Sequence, residues 1–244
     1  MQKGVFSILS NREIARDMFE MRLRGDTSAL SRPGQFVNIR LEGLYLRRPI
    51  SVADWTAEEL LLLYKVVGAG TRKMAAMRQG ETLDLLTGLG NGFDPEKCGE
   101  RTLLIGGGAG VPPMIGLARK LKEMGKRPVA VLGFNAKEDV YGVERFREME
   151  VPVHVATMDG SVGTRGLVTQ VLKGLSDYDD FCACGPEKML RAVADACPMT
   201  GQMSFEERMG CGFGACMGCT CKTKYGNKRI CKDGPVLWKE EVVW

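Results

Sequence analysis

Apolar and polar residues alternate with a period of two through much of the first hundred positions. Phe19, Met21 and Leu23 interleave with Glu20, Arg22 and Arg24. After the turn signal Arg32-Pro33-Gly34, Val37, Ile39 and Leu41 interleave with Asn38, Arg40 and Glu42. This is the pattern of half-buried strands. Residues 60–67 are an apolar run, broken only by Lys65, that fits either period and is bounded by Gly68 and Gly70. Short strands punctuated by Gly and Pro predict a small antiparallel β-barrel over residues 1–98.

From residue 99 the rhythm changes. The run 102–105 reads as a buried strand. Pro113 then opens a helix with Met114, Leu117, Ala118, Leu121 and Met124 on one face, closed by Gly125. Strands are predicted over 129–134 and 151–157, with a polar helical stretch over 143–149 between them. A helix over 167–172, a strand over 181–183, a helix from Pro186 and a fifth strand over 202–205 follow. Alternation of this kind predicts a doubly wound parallel α/β domain over 99–205. Residues 206–244 are too short and too rich in Gly and Cys to build an apolar core, so their cysteines are expected to hold them. The fold class is therefore α+β multidomain. The single histidine, His154, falls in an apolar strand run and is expected to be a satisfied core residue.

Charge narrows the function. Lys and Arg exceed Asp and Glu by 4, without a long basic run, which argues against nucleic acid as the main partner. No apolar stretch approaches the roughly 20 residues that span a bilayer. Met1-Gln2-Lys3-Gly4-Val5-Phe6-Ser7 lacks the apolar core of a secretory signal, so a cytoplasmic protein with no membrane partner is expected. Glycine is unusually abundant at 31 residues, and five of the nine cysteines lie between 211 and 231. In a reducing compartment such clustering points to metal or redox chemistry.

Cys211, Cys216 and Cys219 have the spacing C-x4-C-x2-C, with Cys231 following after eleven residues. The first three match plant-type [2Fe–2S] ferredoxins. Four thiolates and two sulfides carry negative charge, and Gly212, Gly214 and Gly218 permit turns that aim backbone N–H groups inward. A zinc site is the alternative, although zinc ribbons usually show two C-x2-C knuckles and this chain shows one. Cys221 offers a second register but breaks the spacing. Cys98, Cys182 and Cys197 read as small buried apolar residues.

Gly106, Gly108, Gly110 and Pro113 lie in a turn from strand to helix, where freed amides and a helix N-terminus suit a pyrophosphate. The turn is neither a P-loop nor a complete G-x-G-x-x-G, and glycine needed only for tight packing is an equal alternative. Cys184-Gly185-Pro186 ends a later strand, where open α/β sheets bind ligands. Its thiol would lie beside a nicotinamide, or else it is a strand-end cysteine before a helix. No arginine cluster follows Phe134, which favours NADH over NADPH. Arg48-Pro49-Ile50-Ser51 places a guanidinium near a hydroxyl, and Gly70-Thr71 precedes a helical stretch over 72–77 with Thr71 as N-cap. Together these are a surface arginine and a capped turn, or an anion site for a flavin diphosphate.

As a set, these motifs resemble the electron-transfer subunit of NAD-linked (class 1B) dihydroorotate dehydrogenase, within the ferredoxin-reductase superfamily. The resemblance spans the chain. It also rests on Pro33-Gly34-Gln35-Phe36, Gly68-Ala69-Gly70-Thr71, Gly90-Asn91-Gly92-Phe93 and the ending Cys231-Lys232-Asp233-Gly234-Pro235-Val236. It implies an FAD barrel, an NAD domain and a [2Fe–2S] domain. By resemblance, Arg48 serves the FAD pyrophosphate and Ser51 the isoalloxazine neighbourhood. Leu63, Tyr64, Lys65, Gly70 and Thr71 continue the FAD contacts. The sequence departs from the family at Thr87-Gly88 and at Met158. The implied partner is an FMN-containing dihydroorotate dehydrogenase subunit, in a heterotetramer of two of each. Electrons would run from dihydroorotate through FMN, [2Fe–2S] and FAD to NAD⁺ in pyrimidine biosynthesis. No general acid–base pair is apparent in this chain. A reductase subunit serving ferredoxin or sulfide is the near alternative, and a zinc-stapled binding module the distant one.

Overall fold

The computed structural model describes residues 1–244. Six antiparallel strands close a barrel: β1 (Gln2–Ala15), β2 (Met18–Arg24), β3 (Phe36–Arg40), β4 (Arg48–Trp55), β5 (Glu59–Lys65) and β6 (Thr82–Leu89), in the order β1-β2-β5-β4-β3-β6. The apolar run 60–67 thus resolves as a strand. The 14-residue β1 had no legible alternation because its register against β2 shifts between Ile8 and Ser10 and again between Glu13 and Ala15. Each shift reverses which side chains face inward. Phe6, Met21, Leu23, Val37, Ile39, Leu62 and Leu85 fill the barrel. A short helix, α1 (Ala69–Ala75), packs beside it.

The second half alternates as expected: β7 (Thr102–Gly107), α2 (Val111–Glu123), β8 (Val129–Phe134), α3 (Val143–Glu148), β9 (Val153–Thr157), β10 (Thr164–Arg165), α4 (Val168–Leu172), β11 (Asp180–Cys184), α5 (Glu187–Ala196) and β12 (Gly201–Ser204). These strands are parallel, in the order β10-β9-β8-β7-β11-β12. Helix α2 starts at Val111, two residues before Pro113, because prolines are tolerated within the first turn. His154 is exposed, which corrects the core expectation. Its strand lies next to the sheet edge, with only the two-residue β10 beyond it.

A hairpin, β13 (Thr220–Thr223) with β14 (Gly226–Arg229), follows, and then β15 (Val236–Trp238). β15 adds antiparallel to β12, pairing Met203 with Leu237, so the chain's end completes the central sheet as its seventh strand. The tail is therefore held by packing as well as by its cysteines. Cys219, Ile230, Cys231, Leu237 and Val242 share one buried cluster with Phe36 and Leu89 of the barrel and with β7, β11 and α5. No helix is long and apolar enough to cross a membrane.

Barrel and sheet meet through α2. A Cβ on Gly116 would lie 2.8 Å from the Ala53 carbonyl oxygen, so helix and strand touch at backbone distance. Arg119 on α2 donates to Asp54 on β4 at 2.7 Å. Glu20, expected to face solvent from β2, is buried between Arg12, at 3.0 Å, and Arg145 of α3. Arg16 forks onto Asp139 at 2.8 Å.

Candidate functional site

The carboxyl ends of β7, β8 and β11 open onto a cleft of about 350 Å³ between barrel and sheet. Gly108, Gly110, Gly185 and Pro186 line it, with Lys65 and Arg16 from the barrel side and Glu206 from beyond β12. Gly110 cannot carry a side chain, because its Cβ would stand 2.1 Å from the Cys184 carbonyl oxygen. Two distant motifs are thereby closed against each other. Gly108, at φ +51°, faces open space. Its carbonyl accepts from the Val111 N–H and from the Tyr141 hydroxyl at 2.6 Å, which takes a lone pair out of an anion's way. Gly106 and Pro113 are buried beneath the turn and stay off the cleft wall.

Cys184 is buried rather than presented, and burial with the nearby Glu206 charge pushes its thiol up to about 12. It remains a neutral thiol at physiological pH. Tyr141, which borders the cleft, is likewise held well above its ordinary value by burial and stays a neutral donor.

On the barrel, the structure brings Arg48 and Gly70 together across 22 positions. The Arg48 side chain lies over Gly70, its Nε 2.3 Å from where a Cβ would stand. Thr71 is not the N-cap: Gly68 holds that place, and Thr71 Oγ1 reaches back to accept from Val67 N at 2.9 Å and Gly68 N at 3.2 Å. The tied turn and the guanidinium make one polar corner suited to a diphosphate. Pro49, Ile50 and Ser51 continue β4 beside it, exposed or half-buried. Leu63 and Tyr64 turn into packed interiors; the Tyr64 hydroxyl is spent on Asn11 Oδ1 at 3.0 Å. A ligand there would meet their backbone and the Lys65 side chain.

The cysteine loop fits a cluster. Phe213, Ala215 and Cys216 point their N–H groups at Cys211 Sγ, at 3.5, 3.2 and 3.4 Å. Against the cost of desolvation, those donors pull the Cys211 thiol down to about 6, so it is a thiolate at neutral pH. Cys231 N donates to Cys219 Sγ at 3.3 Å. Backbone amides tie the cysteines in two pairs: Cys211 N donates to Cys216 Sγ at 3.4 Å while Cys216 N donates back to Cys211 Sγ, and Cys231 N reaches Cys219 Sγ. Two irons bridged by sulfide need two thiolates each, which this pairing supplies. Cys221 lies on β13, outside both pairs.

Three positioning residues were not legible in the sequence. Asn38, read as a solvent-facing strand residue, is buried and donates from Nδ2 to the Cys211 carbonyl at 3.1 Å. Asn91 Nδ2 donates to the Val236 carbonyl at 2.7 Å, and its Oδ1 accepts from Val236 N at 3.0 Å. The Gly90-Asn91-Gly92-Phe93 motif is thus a clamp on the tail. Tyr141 is the third. A polar residue in an alternating strand gives the same local signal whether it faces water or another element.

A sequence model of the iron–sulfur cluster binding domain of dihydroorotate dehydrogenase B matches residues 206–243. The dihydroorotate dehydrogenase B (NAD(+)) electron transfer subunit of Shouchella clausii is 44% identical, covering 99% of this chain and 98% of its own. That of Bacillus pumilus is 41% identical over the same shares. Among solved structures, the NADH-dependent reduced ferredoxin-NADP oxidoreductase superposes with a TM-score of 0.88 at 31% identity, over 98% of this chain and 90% of that one. A ferredoxin NADP+ reductase from Neisseria gonorrhoeae shares the fold alone, with a TM-score of 0.68 at 16% identity over 80% of this chain and 90% of that one. With full-length identity at this level, the chain belongs to the electron-transfer subunits of NAD-linked dihydroorotate dehydrogenase B.

Proposed function

We propose that this chain carries electrons between NAD and a catalytic partner subunit, an FMN-containing dihydroorotate dehydrogenase, in pyrimidine biosynthesis. Arg48, Ser51, Gly70 and Thr71 would hold FAD, the turn of Gly108 and Gly110 with Gly185 and Pro186 would hold NAD, and Cys211, Cys216, Cys219 and Cys231 would ligate [2Fe–2S]. Bound flavin supplies the conversion between the two-electron hydride of NADH and the single electrons of the cluster. The chain's own residues bind and orient. The amides around Cys211 neutralise thiolate charge, the glycine turn lets a pyrophosphate approach backbone, and the buried Cys184 thiol stays uncharged beside the cleft.

The observation that carries this reading is the set of backbone N–H groups aimed at the Cys211, Cys216 and Cys219 sulfurs, in a segment tied to both the barrel and the central sheet. The test is the chain co-expressed with its catalytic subunit and purified without oxygen. A flavin and iron–sulfur spectrum that bleaches with NADH, and NAD⁺-dependent oxidation of dihydroorotate by the complex but not by this chain alone, are expected. A colourless protein after reconstitution with iron, sulfide and FAD refutes it. The mass of the complex tests two copies of each subunit. The likeness to a ferredoxin-NADP oxidoreductase supports a second reading, with ferredoxin as partner. Reduction of ferredoxin by NADH, with dihydroorotate inert, would select it.

A further inference from the structure

We propose that Asn38 is the positioning residue that fixes the cluster loop on the flavin-bearing face of the barrel. The inference rests on the flavin and cluster assignments above. In β3, Val37 and Ile39 point into the barrel, so Phe36 and Asn38 point out. The register pairs Phe36 with Ser51 and Asn38 with Pro49, and directly opposed residues share a face. Ser51, Pro49 and Asn38 therefore occupy one outer surface, and the first cluster-binding cysteine is docked onto it.

The docking is close and specific. Asn38 Nδ2 donates to the carbonyl of Cys211, and that carbonyl can only accept, so the orientation of the amide is set. Gly212, the next residue, passes so near that a Cβ would lie 2.3 Å from the same nitrogen. Arg47 donates to the Asn38 carbonyl at 3.1 Å and forms an ion pair with Asp84 at 2.7 Å, which anchors this part of the strand. Asn38 Oδ1 is buried and has no donor within the protein. Almost no surface is left accessible at that oxygen, so Asn38 acts on the loop through its nitrogen alone. The amide thus joins the barrel face that carries Ser51 to the first cluster cysteine, and its loss would loosen the cluster loop without touching the flavin site.

The test uses the complex with its catalytic subunit, comparing wild type with Asn38→Leu and Asn38→Asp. Leu removes the donor; Asp replaces it with a carboxylate set against the Cys211 carbonyl. Stopped-flow absorbance after NADH separates flavin reduction from cluster reduction, and hydrogen exchange reads the amides of residues 211–216. The flavin phase is expected to keep its wild-type rate and the cluster phase to slow in both variants. The loop amides are expected to exchange about ten-fold faster, as loss of one hydrogen bond allows. Wild-type cluster kinetics and exchange in both variants would overturn the assignment. So would equal slowing of both phases, which marks a general loss of structure. Wild-type protein lacking flavin or iron is a different result, and refutes the underlying function instead.

Discussion

Gly108 and Gly110 are two positions apart in one glycine-rich turn, yet substitution at each has a different consequence. At Gly110 an alanine Cβ would stand 2.1 Å from the Cys184 carbonyl oxygen and 2.3 Å from its carbonyl carbon. Ordinary contact begins near 3.4 Å, so the turn and the end of β11 would have to separate by about 1.3 Å. Both partners are backbone, and no side chain can swing aside. The cost belongs at the upper end of overpacking, about 3 kcal/mol. For a chain of this size that is a fall in melting temperature of about 6–12 °C. At Gly108 no atom lies within 4 Å, and only the left-handed backbone, φ +51°, resists alanine. That penalty is about 1 kcal/mol, or about 2–4 °C. Thermal melts of the two variants measure the difference directly. Isothermal titration with NADH should show binding lost in Gly110→Ala and weakened in Gly108→Ala, whose methyl would stand in the cleft, with flavin content unchanged in both. A Gly110→Ala protein that melts with or above Gly108→Ala and still binds NADH would refute the claim that this turn is sealed against β11.

Cys219→Ser should abolish bound iron while Cys221→Ser keeps it, by iron analysis and visible absorption; equal loss would move the ligand set to the other register. Arg48→Ala should weaken FAD retention about ten-fold or more, the worth of a charge-assisted hydrogen bond, read as flavin released on gel filtration. Burial acts to raise the Glu20 carboxyl, but hydrogen bonds from Arg145 and Arg12 outweigh it and hold the group below its ordinary range. A carboxyl lowered in the folded state adds stability that is present above its unfolded value and lost as pH falls through the folded one. Melting temperature should therefore decline as pH falls below the ordinary carboxylate range, and Glu20→Gln should flatten that decline; parallel curves would exclude Glu20 as a contributor.

Much of this protein was legible in its sequence, because the features concerned are set within a few residues. Backbone geometry gives a strand its period of two and a helix its 3.6, so the doubly wound half and two barrel strands could be read directly. The ligand spacing around Cys211 and the glycine turn at 106–110 are local as well, since a cluster and a pyrophosphate each need several groups from one short loop. What only the tertiary structure decided depends on which distant surfaces meet. Glu20 and Asn38 occupy outward positions of their strands and are buried because other elements, α3 and the cluster loop, cover them. His154 sits in an apolar run and is exposed because its strand lies near the sheet edge. Arg48 and Gly70 form one corner only once the barrel closes. β15 carries the tail past the expected boundary at 205/206, because β12 presents a free edge that three residues of tail can pair with. Burial is a property of a pair of surfaces, and one surface's sequence does not contain the other's position.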